Sequence, residues 1–115
     1  MIKTALMCLA LTVFYEARGE PTIGQYAVAE VVINRANNRD LSICEVIYEP
    51  GQFSGVSKLK KPKSDNPVFL KSLSIAKAAL ESPTNYTNGA NYFRIHSLKV
   101  KNKKVKMSRY PKVPL

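Results

Sequence analysis

The acidic residue at position 16 has the surroundings that acid–base chemistry needs. Glu16 follows a mostly apolar run and lies within the stretch FYEARGE. If that run is a helix, Glu16 lies near its C-terminal end, where partial burial and the negative end of the helix dipole both raise a carboxyl pKa. A carboxylic acid held protonated near neutral pH can act as a general acid. The same pattern also fits a helix that simply ends at the protein surface.

The other carboxylates have structural interpretations. We expect Glu20 to be a salt-bridge or capping partner that shapes the loop after this helix, and it is the second candidate for a catalytic carboxylate. Glu30 falls beside the apolar stripe of the second helix, and we expect it to form a structural pair with Arg18. Glu49 lies in a turn, and Asp65 is suited to capping a helix.

Hydrophobic periodicity predicts three helices that would position these residues. The first covers residues 4–18 and ends at Gly19 and Pro21. The second covers residues 25–37 and follows a loop that turns at Gly24. The third runs from Pro67 to about Glu81 after a cap at Asp65 or Asn66. The predicted buried positions are Ala27, Val28, Val31 and Val32 on the second helix, and Phe69, Leu70, Leu73, Ala76 and Leu80 on the third.

The remaining segments are shorter and more polar. Residues 41–48 fit either a short helix or a strand, and the Pro-Gly at 50–51 ends that element in both cases. From residue 92 onward apolar and basic residues alternate, which predicts a small twisted β-hairpin with one cationic face. The expected fold class is mainly α, of the α+β kind.

The apolar N-terminal run also has two of the three features of a secretory signal peptide. The third is poor, because Phe14, Tyr15 and Glu16 do not suit a cleavage site for small residues. We therefore interpret the run as part of the fold. No stretch reaches the roughly 18 apolar residues that a membrane-spanning helix needs, so we expect no stable membrane insertion.

The cysteines and the histidine limit the other chemistries. Cys8 and Cys44 lie among apolar neighbours, and we expect two reduced, buried thiols, with a single disulfide as the alternative. His96 is the only histidine, which excludes metal binding by a histidine cluster. We expect no metal and no cofactor.

The charge of the chain is divided unevenly. The net charge is +10, with −2 in residues 1–57 and +12 in residues 58–115. Such asymmetry indicates a polyanionic partner, which could be nucleic acid, an anionic lipid surface or a bacterial wall.

Four blocks in the first 93 residues carry a family resemblance. The strings FYEARGEP, GQYAVAEVVINR, VIYEPGQFS and NGANYF together resemble the spore-cortex-lytic, cell wall hydrolase family, whose members cleave peptidoglycan. The resemblance implies a compact, lysozyme-like, mostly α single catalytic domain over residues 1–115. It also implies that Glu16, the first glutamate of the EARGE block, is the catalytic acid.

The resemblance extends to substrate binding. Glycan recognition needs flat apolar surfaces for sugar faces and amides for N-acetyl groups, and Gln52, Phe53 and Ser54 meet that description in the block that lines the family's cleft. Gln25 and Tyr92 are further substrate-binding candidates. Residues 89–93 depart from the family's usual histidine-containing block, so His96 receives no role.

Members of this family are similar to lytic transglycosylases, which cleave the β-1,4 bond between N-acetylmuramic acid (MurNAc) and N-acetylglucosamine (GlcNAc) and leave a 1,6-anhydro end. We expect that activity here, in a small monomeric enzyme of the phage endolysin type. It would bind peptidoglycan and the anionic wall, but not nucleic acid. Without a clear signal peptide, it would reach the wall through holin-type release or virion delivery.

Two other hypotheses remain open. A muramidase would use water in place of the intramolecular hydroxyl. A non-enzymatic polyanion-binding protein would contact phosphates through the lysines of segments 58–63 and 99–106, and Glu16 would be incidental.

Overall fold

The computed structural model describes residues 4–49, 61–82 and 84–89, and the backbone of residues 98–100 and 103–105. Within them the chain is mainly helical, as predicted. The helices are α1 (Ala5–Ala17), α2 (Thr22–Arg39), α3 (Ile43–Ile47) and α4 (Pro67–Glu81). The strands are β1 (Leu98–Val100) and β2 (Lys103–Val105).

Helix α1 is the central element of the core. Its start is capped by Thr4, whose Oγ1 accepts a hydrogen bond from the Met7 amide at 3.1 Å. From Cys8 to Phe14 every side chain is buried. Apolar residues occur on all sides of this helix, so all of them are shielded from water only if the helix is surrounded by other parts of the protein. The predicted bounds of 4–18 are confirmed.

Helix α2 is longer than the predicted 25–37. It begins at Thr22, directly after Pro21, so Gly24 lies inside the first turn and not in a loop. At the other end Asp40 adopts a left-handed conformation with φ of 54°, and the Leu41 amide donates to the Ala36 carbonyl at 3.0 Å. This C-terminal motif ends the helix without glycine.

Residues 43–47 form a helix, which decides between the two predicted alternatives. Ser42 and Glu45 form a reciprocal capping box: the Glu45 amide donates to Ser42 Oγ at 3.1 Å, and the Ser42 amide donates to Glu45 Oε1 at 2.9 Å. The local capping interaction thus favours helix over strand.

Helix α4 has the predicted bounds and one of its two predicted caps, but one core position differs from the expectation. Asn66 is the cap, since its Oδ1 accepts hydrogen bonds from the Val68 and Phe69 amides, which decides between Asp65 and Asn66. Leu70 is 46% exposed, because it projects away from the stripe that faces the core. The buried residues of α4 are Phe69, Ser72, Ile75, Ala76 and Ala79.

The four helices share one core. Helix α1 packs chiefly against α4 and also contacts α2 and α3, and the rings of Phe14 and Phe69 meet edge to face with centroids 5.8 Å apart. A Cys8–Cys44 disulfide ties α1 to α3. The expected reduced thiols are therefore wrong; Cys8 and Cys44 are 36 positions apart, and only the packing of α3 on α1 brings them together.

Strands β1 and β2 form a short antiparallel pair in which Leu98 is opposite Val105. The rest of the predicted C-terminal hairpin lies outside the described residues, so the hairpin as a whole stays a prediction. None of the four described helices combines the length and the apolar character needed to cross a membrane.

Candidate active site

Glu16 occupies the last turn of α1 and is 2% exposed. Its burial follows from the sequence, because the apolar residues before it draw the whole helix into the core and the helix ends only one residue later. A carboxyl group in such a position is shielded from bulk water. This is the sheltered setting that a general acid requires.

A tight corner joins the end of α1 to the start of α2. Only residues 18–21 separate the two helices. The Glu20 amide donates to the Ala17 carbonyl at 2.9 Å, and the Gln25 amide donates to the Pro21 carbonyl at 3.1 Å. The corner therefore brings the last turn of α1, with Glu16, close to the first turn of α2.

Gln25 is fixed at this corner by its side chain. It is 2% exposed, and its Nε2 donates to the Glu20 carbonyl at 3.0 Å. Its Oε1 is buried and accepts no hydrogen bond from any part of the chain that the structure describes. A buried acceptor without a donor costs roughly 1–3 kcal/mol, and a bound hydroxyl or amide group would satisfy it. The role of Gln25 in substrate binding stays a prediction, with which this buried acceptor is compatible.

Among the described residues, Arg18 contacts aromatic rings and forms no ion pair with an acidic side chain. Its guanidinium carbon lies 4.7 Å from the centroid of the Phe14 ring and 5.6 Å from that of Tyr15. These are cation–π distances. The charge of Arg18 is therefore held along the aromatic surface of α1, and the expected pair with Glu30 is wrong.

Glu30 binds a distant segment. It is 3% exposed, and its carboxylate accepts four hydrogen bonds from three residues that follow α4. Thr84 Oγ1 (2.6 Å) and the Tyr86 amide (2.8 Å) donate to Oε2, while the Thr87 amide (2.7 Å) and Thr87 Oγ1 (2.6 Å) donate to Oε1. The sequence signal was the position of Glu30 beside the buried stripe of α2, since a buried carboxylate needs several donors. The identity of those donors was not readable from spacing.

The segment that carries three of the substrate-binding candidates begins at an ion pair. Arg39, at the end of α2, donates to the carboxylate of Glu49. This hydrogen bond lowers the pKa of Glu49, desolvation opposes it in part, and the charges of Arg39 and Arg35 lower it further, so the pKa lies below its ordinary value. Gln52, Phe53 and Ser54 follow, but they lie outside the described residues, as do Tyr92 and His96.

Glu20, the second catalytic candidate, is half-buried at the same corner. In the part of the chain that the structure describes, no three His, Cys, Asp or Glu side chains lie close enough together to hold a metal ion. The candidate residues that the structure describes at the corner are Glu16, Glu20 and Gln25.

The family profile described as Cell Wall Hydrolase matches residues 19–113, most of the chain. The chain belongs to the cell wall hydrolase family. The match begins three residues after Glu16, and it includes Gln25, Glu30 and the segments that contain the other binding candidates.

Several relatives in this family are spore cortex-lytic enzymes. The chain is 33% identical to that of Bacillus cereus over 82 residues, which is 70% of this chain and 29% of the relative. It is 47% identical to the enzyme of Bacillus subtilis over 51 residues, which is 43% of this chain and 17% of the relative. It is 43% identical to the enzyme of Halalkalibacterium halodurans over 54 residues, which is 45% of this chain and 16% of the relative. The chain thus spans less than a third of the length of each relative. No solved structure matches the chain significantly.

Proposed function

We propose that this chain degrades peptidoglycan by cleaving the MurNAc–GlcNAc β-1,4 bond, with Glu16 as general acid and base. The observation that carries the proposal is the buried carboxyl group of Glu16 at the α1–α2 corner, 2% exposed, in a chain of the cell wall hydrolase family. The spore cortex-lytic relatives support the same substrate class.

The proposed reaction is that of a lytic transglycosylase. Glu16 gives its proton to the glycosidic oxygen, so that the bond to the MurNAc anomeric carbon breaks and GlcNAc leaves with a free 4-hydroxyl. The 6-hydroxyl of the same MurNAc attacks that carbon and gives its proton to the Glu16 carboxylate. The product is a 1,6-anhydro end, no water is consumed, and Glu16 is protonated again.

One carboxyl group suffices for this route. Hydrolytic glycosidases use two carboxylates roughly 5–10 Å apart, because one serves the leaving group and the other activates water or attacks directly. An intramolecular hydroxyl is already positioned and has a high effective concentration. A single acid that later acts as base can therefore serve both steps.

The proposed binding residues divide between the corner and the two segments beyond the described structure. At the corner, the buried Oε1 of Gln25 is suited to accept a hydrogen bond from an N-acetyl amide or a hydroxyl of the glycan. We assign Gln52, Phe53, Ser54 and Tyr92 to sugar contacts on the basis of the family resemblance alone.

We further propose that the protein acts at the anionic wall, as a phage-type enzyme of lysis or wall entry. The exposed Lys61, Lys63, Lys71 and Lys77 support electrostatic attraction to wall polyanions. The Cys8–Cys44 disulfide supports action in an oxidising compartment, because disulfides persist there and are rare in the cytosol.

Digestion of purified, insoluble peptidoglycan in H₂¹⁸O tests the reaction. We expect soluble fragments that carry 1,6-anhydro ends and no ¹⁸O at the newly formed MurNAc end. Incorporation of one ¹⁸O at that end would show a muramidase instead and would overturn the transglycosylase route. Release of no fragments would overturn peptidoglycan degradation itself.

The polyanion-binding hypothesis is tested on the same preparation. Fluorescence anisotropy with duplex DNA should show only weak binding that disappears at moderate salt and does not depend on position 16. Tight, steeply salt-dependent DNA binding by a protein that leaves peptidoglycan intact would support the alternative.

A further inference from the structure

Arg18 is an exposed cation that no acidic side chain in the described part of the chain neutralises. Residues 4–49 contain no lysine and three arginines, Arg18, Arg35 and Arg39. Arg39 forms an ion pair with Glu49, and the charge of the buried Arg35 also acts on that carboxylate. Arg18 is exposed and forms no ion pair with an acidic residue that the structure describes. Its charge is therefore available to a ligand.

Two aromatic rings hold the guanidinium group of Arg18 in one place. Its carbon lies 4.7 Å from the centroid of the Phe14 ring and 5.6 Å from that of the Tyr15 ring. A guanidinium group over an aromatic ring uses its flat face for this contact and keeps its N–H edge free to donate. Because that edge matches the two oxygens of a carboxylate, Arg18 is prepared for a bidentate pair.

Arg18 and Glu16 project from different sides of α1. Arg18 continues the helical backbone beyond Ala17, with φ of −59° and ψ of −26°. Each residue of a helix is turned by about 100°, so the two side chains point about 160° apart. A helix with its side chains is about 10–12 Å across. A carboxylate bound by Arg18 is therefore roughly that far from a glycosidic bond at Glu16.

This separation indicates which carboxylate of the substrate fits. In peptidoglycan the lactyl group of MurNAc carries a short peptide stem with free carboxylates. Three extended residues span roughly 10 Å, so a stem can reach Arg18 from a sugar that is bound at Glu16. The lactyl group itself is too short for this distance.

We propose that Arg18 is a specificity residue that binds a carboxylate of the peptide stem, so that the protein prefers glycan strands whose MurNAc residues keep their peptides. This inference rests on the proposed peptidoglycan-degrading function and adds a substrate preference to it. Arg18 does not touch the reacting atoms. Its contact forms in the ground and transition states alike, so its loss raises KM for peptide-bearing strands and leaves kcat nearly unchanged.

A comparison of two substrates tests this preference. One is soluble, uncross-linked glycan strands with their peptide stems. The other is the same strands after an amidase has removed the stems, which leaves a lactyl carboxylate on each MurNAc. At about 0.3 M salt, where long-range attraction is screened, we expect kcat/KM of the wild-type protein to be roughly 5-fold higher for the peptide-bearing strands. Conversion of the stem carboxylates to methylamides should abolish this difference.

Three variants show whether Arg18 causes the preference. Arg18→Met keeps a side chain that covers the Phe14 ring and removes the charge, so it should cleave both kinds of strand with similar kcat/KM. Arg18→Lys keeps the charge without the planar pair of donors. It should retain roughly a 2-fold preference, and it provides the test if Arg18→Met folds poorly. Lys71→Met is the control, because Lys71 is also an exposed cation, on α4, and its loss should leave the preference in place.

The outcomes separate the inference from the proposed function. Equal cleavage of the two kinds of strand by the wild-type protein would overturn the inference alone, as would a wild-type preference that survives in Arg18→Met. An equal loss of preference in Lys71→Met, or a preference that persists for methylamide stems, would also overturn it. A wild-type protein that cleaves neither kind of strand would overturn the proposed function, and the inference with it.

Discussion

Glu16 and Glu30 are both buried carboxylates, yet their surroundings suit them to different tasks. Glu30 receives four hydrogen bonds from one segment, so its lone pairs are committed to holding that segment. Glu16 lies in the last turn of α1, beside a corner where Gln25 presents a buried acceptor. At the scale of single residues, the corner is therefore our proposed place for proton exchange between a bound glycan and the protein.

The acceptor of Gln25 gives a prediction at this scale. Gln25→Met keeps the approximate size and removes the polar atoms, so a substrate hydrogen bond to Oε1 would be lost. We expect KM for soluble glycan chains to rise by up to roughly 10-fold, because one such bond contributes about 0.5–1.5 kcal/mol. Steady-state kinetics on the folded variant measure this, and an unchanged KM would remove Gln25 from the binding site.

At the scale of elements, short capping interactions decide where the helices begin. Asn66 supplies the cap of α4, although its neighbour Asp65 has an equally suitable side chain. Ser42 and Glu45 enclose the first turn of α3. In sequence, α3 and α4 lie on either side of the segment that contains the proposed sugar contacts Gln52, Phe53 and Ser54.

Asn66 and Asp65 form a matched pair for a stability test. Asn66→Ala removes the acceptor of two backbone amides and should lower the free energy of unfolding by about 1 kcal/mol, or the melting temperature by about 4 °C. Asp65→Ala should leave both nearly unchanged. Calorimetry on the two variants checks this, and equal losses would show that the two residues share the cap.

The capping box of α3 gives a pH prediction. Hydrogen bonds from the Ser42 amide and hydroxyl hold the pKa of Glu45 below its ordinary value of 4.5, so folding favours the ionised form. The stabilisation is fully present above pH 4.5 and is lost as the pH falls through the lowered pKa of the folded state.

The variant Glu45→Gln resembles the protonated form of this residue. Wild type should therefore melt at a higher temperature than Glu45→Gln near neutral pH, and the difference should shrink as the pH falls below 4.5. Thermal unfolding measured across that range tests the linkage. A difference that stays constant down to pH 2 would contradict it.

The elements were predictable where the signal is local. The full burial of α1 and the Pro67 start of α4 follow from apolar spacing and cap residues within one turn. The prediction that Leu70 is buried was wrong, because two adjacent apolar residues cannot be told apart from the sequence. Only the packing of α4 on α1 shows that Phe69 faces the core and Leu70 does not. The predicted start of α2 at residue 25 was wrong, because glycine is common in loops and its place inside the first turn of the helix is visible only in the structure.

The candidate site was predictable only in part. The apolar context of Glu16 predicted its burial, which the structure confirms, whereas its catalytic role and the binding role of Gln25 stay predictions. The partners of Glu30 lie 54–57 residues away along the chain, and no periodicity encodes a contact of that range. Arg18 looked like a salt-bridge partner because its charge is visible in the sequence, whereas the aromatic surface beneath it appears only once α1 is folded.

At the scale of the whole molecule, the disulfide between Cys8 and Cys44 closes a loop of the chain that contains the α1–α2 corner. It links α1 to α3 across 36 positions, and the α1–α2 corner lies inside that loop. In the chain-entropy model such a link stabilises the fold by about 2–4 kcal/mol. The corner is thus stabilised by a covalent bond that forms only in an oxidising environment.

Reduction of this bond should weaken the whole fold. We expect dithiothreitol to lower the melting temperature of the wild-type protein and to have no effect on a Cys8→Ser/Cys44→Ser double variant, whose melting temperature should already be lower. Thiol labelling followed by mass spectrometry should find no modified cysteine before reduction. Two labelled cysteines in protein purified from an oxidising compartment would contradict the bridge.

The central claim, that Glu16 carries the proton in glycan cleavage, is tested most directly by one rate comparison. The release of soluble fragments from purified peptidoglycan is measured for wild type, Glu16→Gln and Glu20→Gln, after circular dichroism has shown that all three are folded. Loss of a general acid should slow cleavage about 100-fold or more, so we predict that drop for Glu16→Gln and near-normal activity for Glu20→Gln. Wild-type activity in Glu16→Gln would contradict the account.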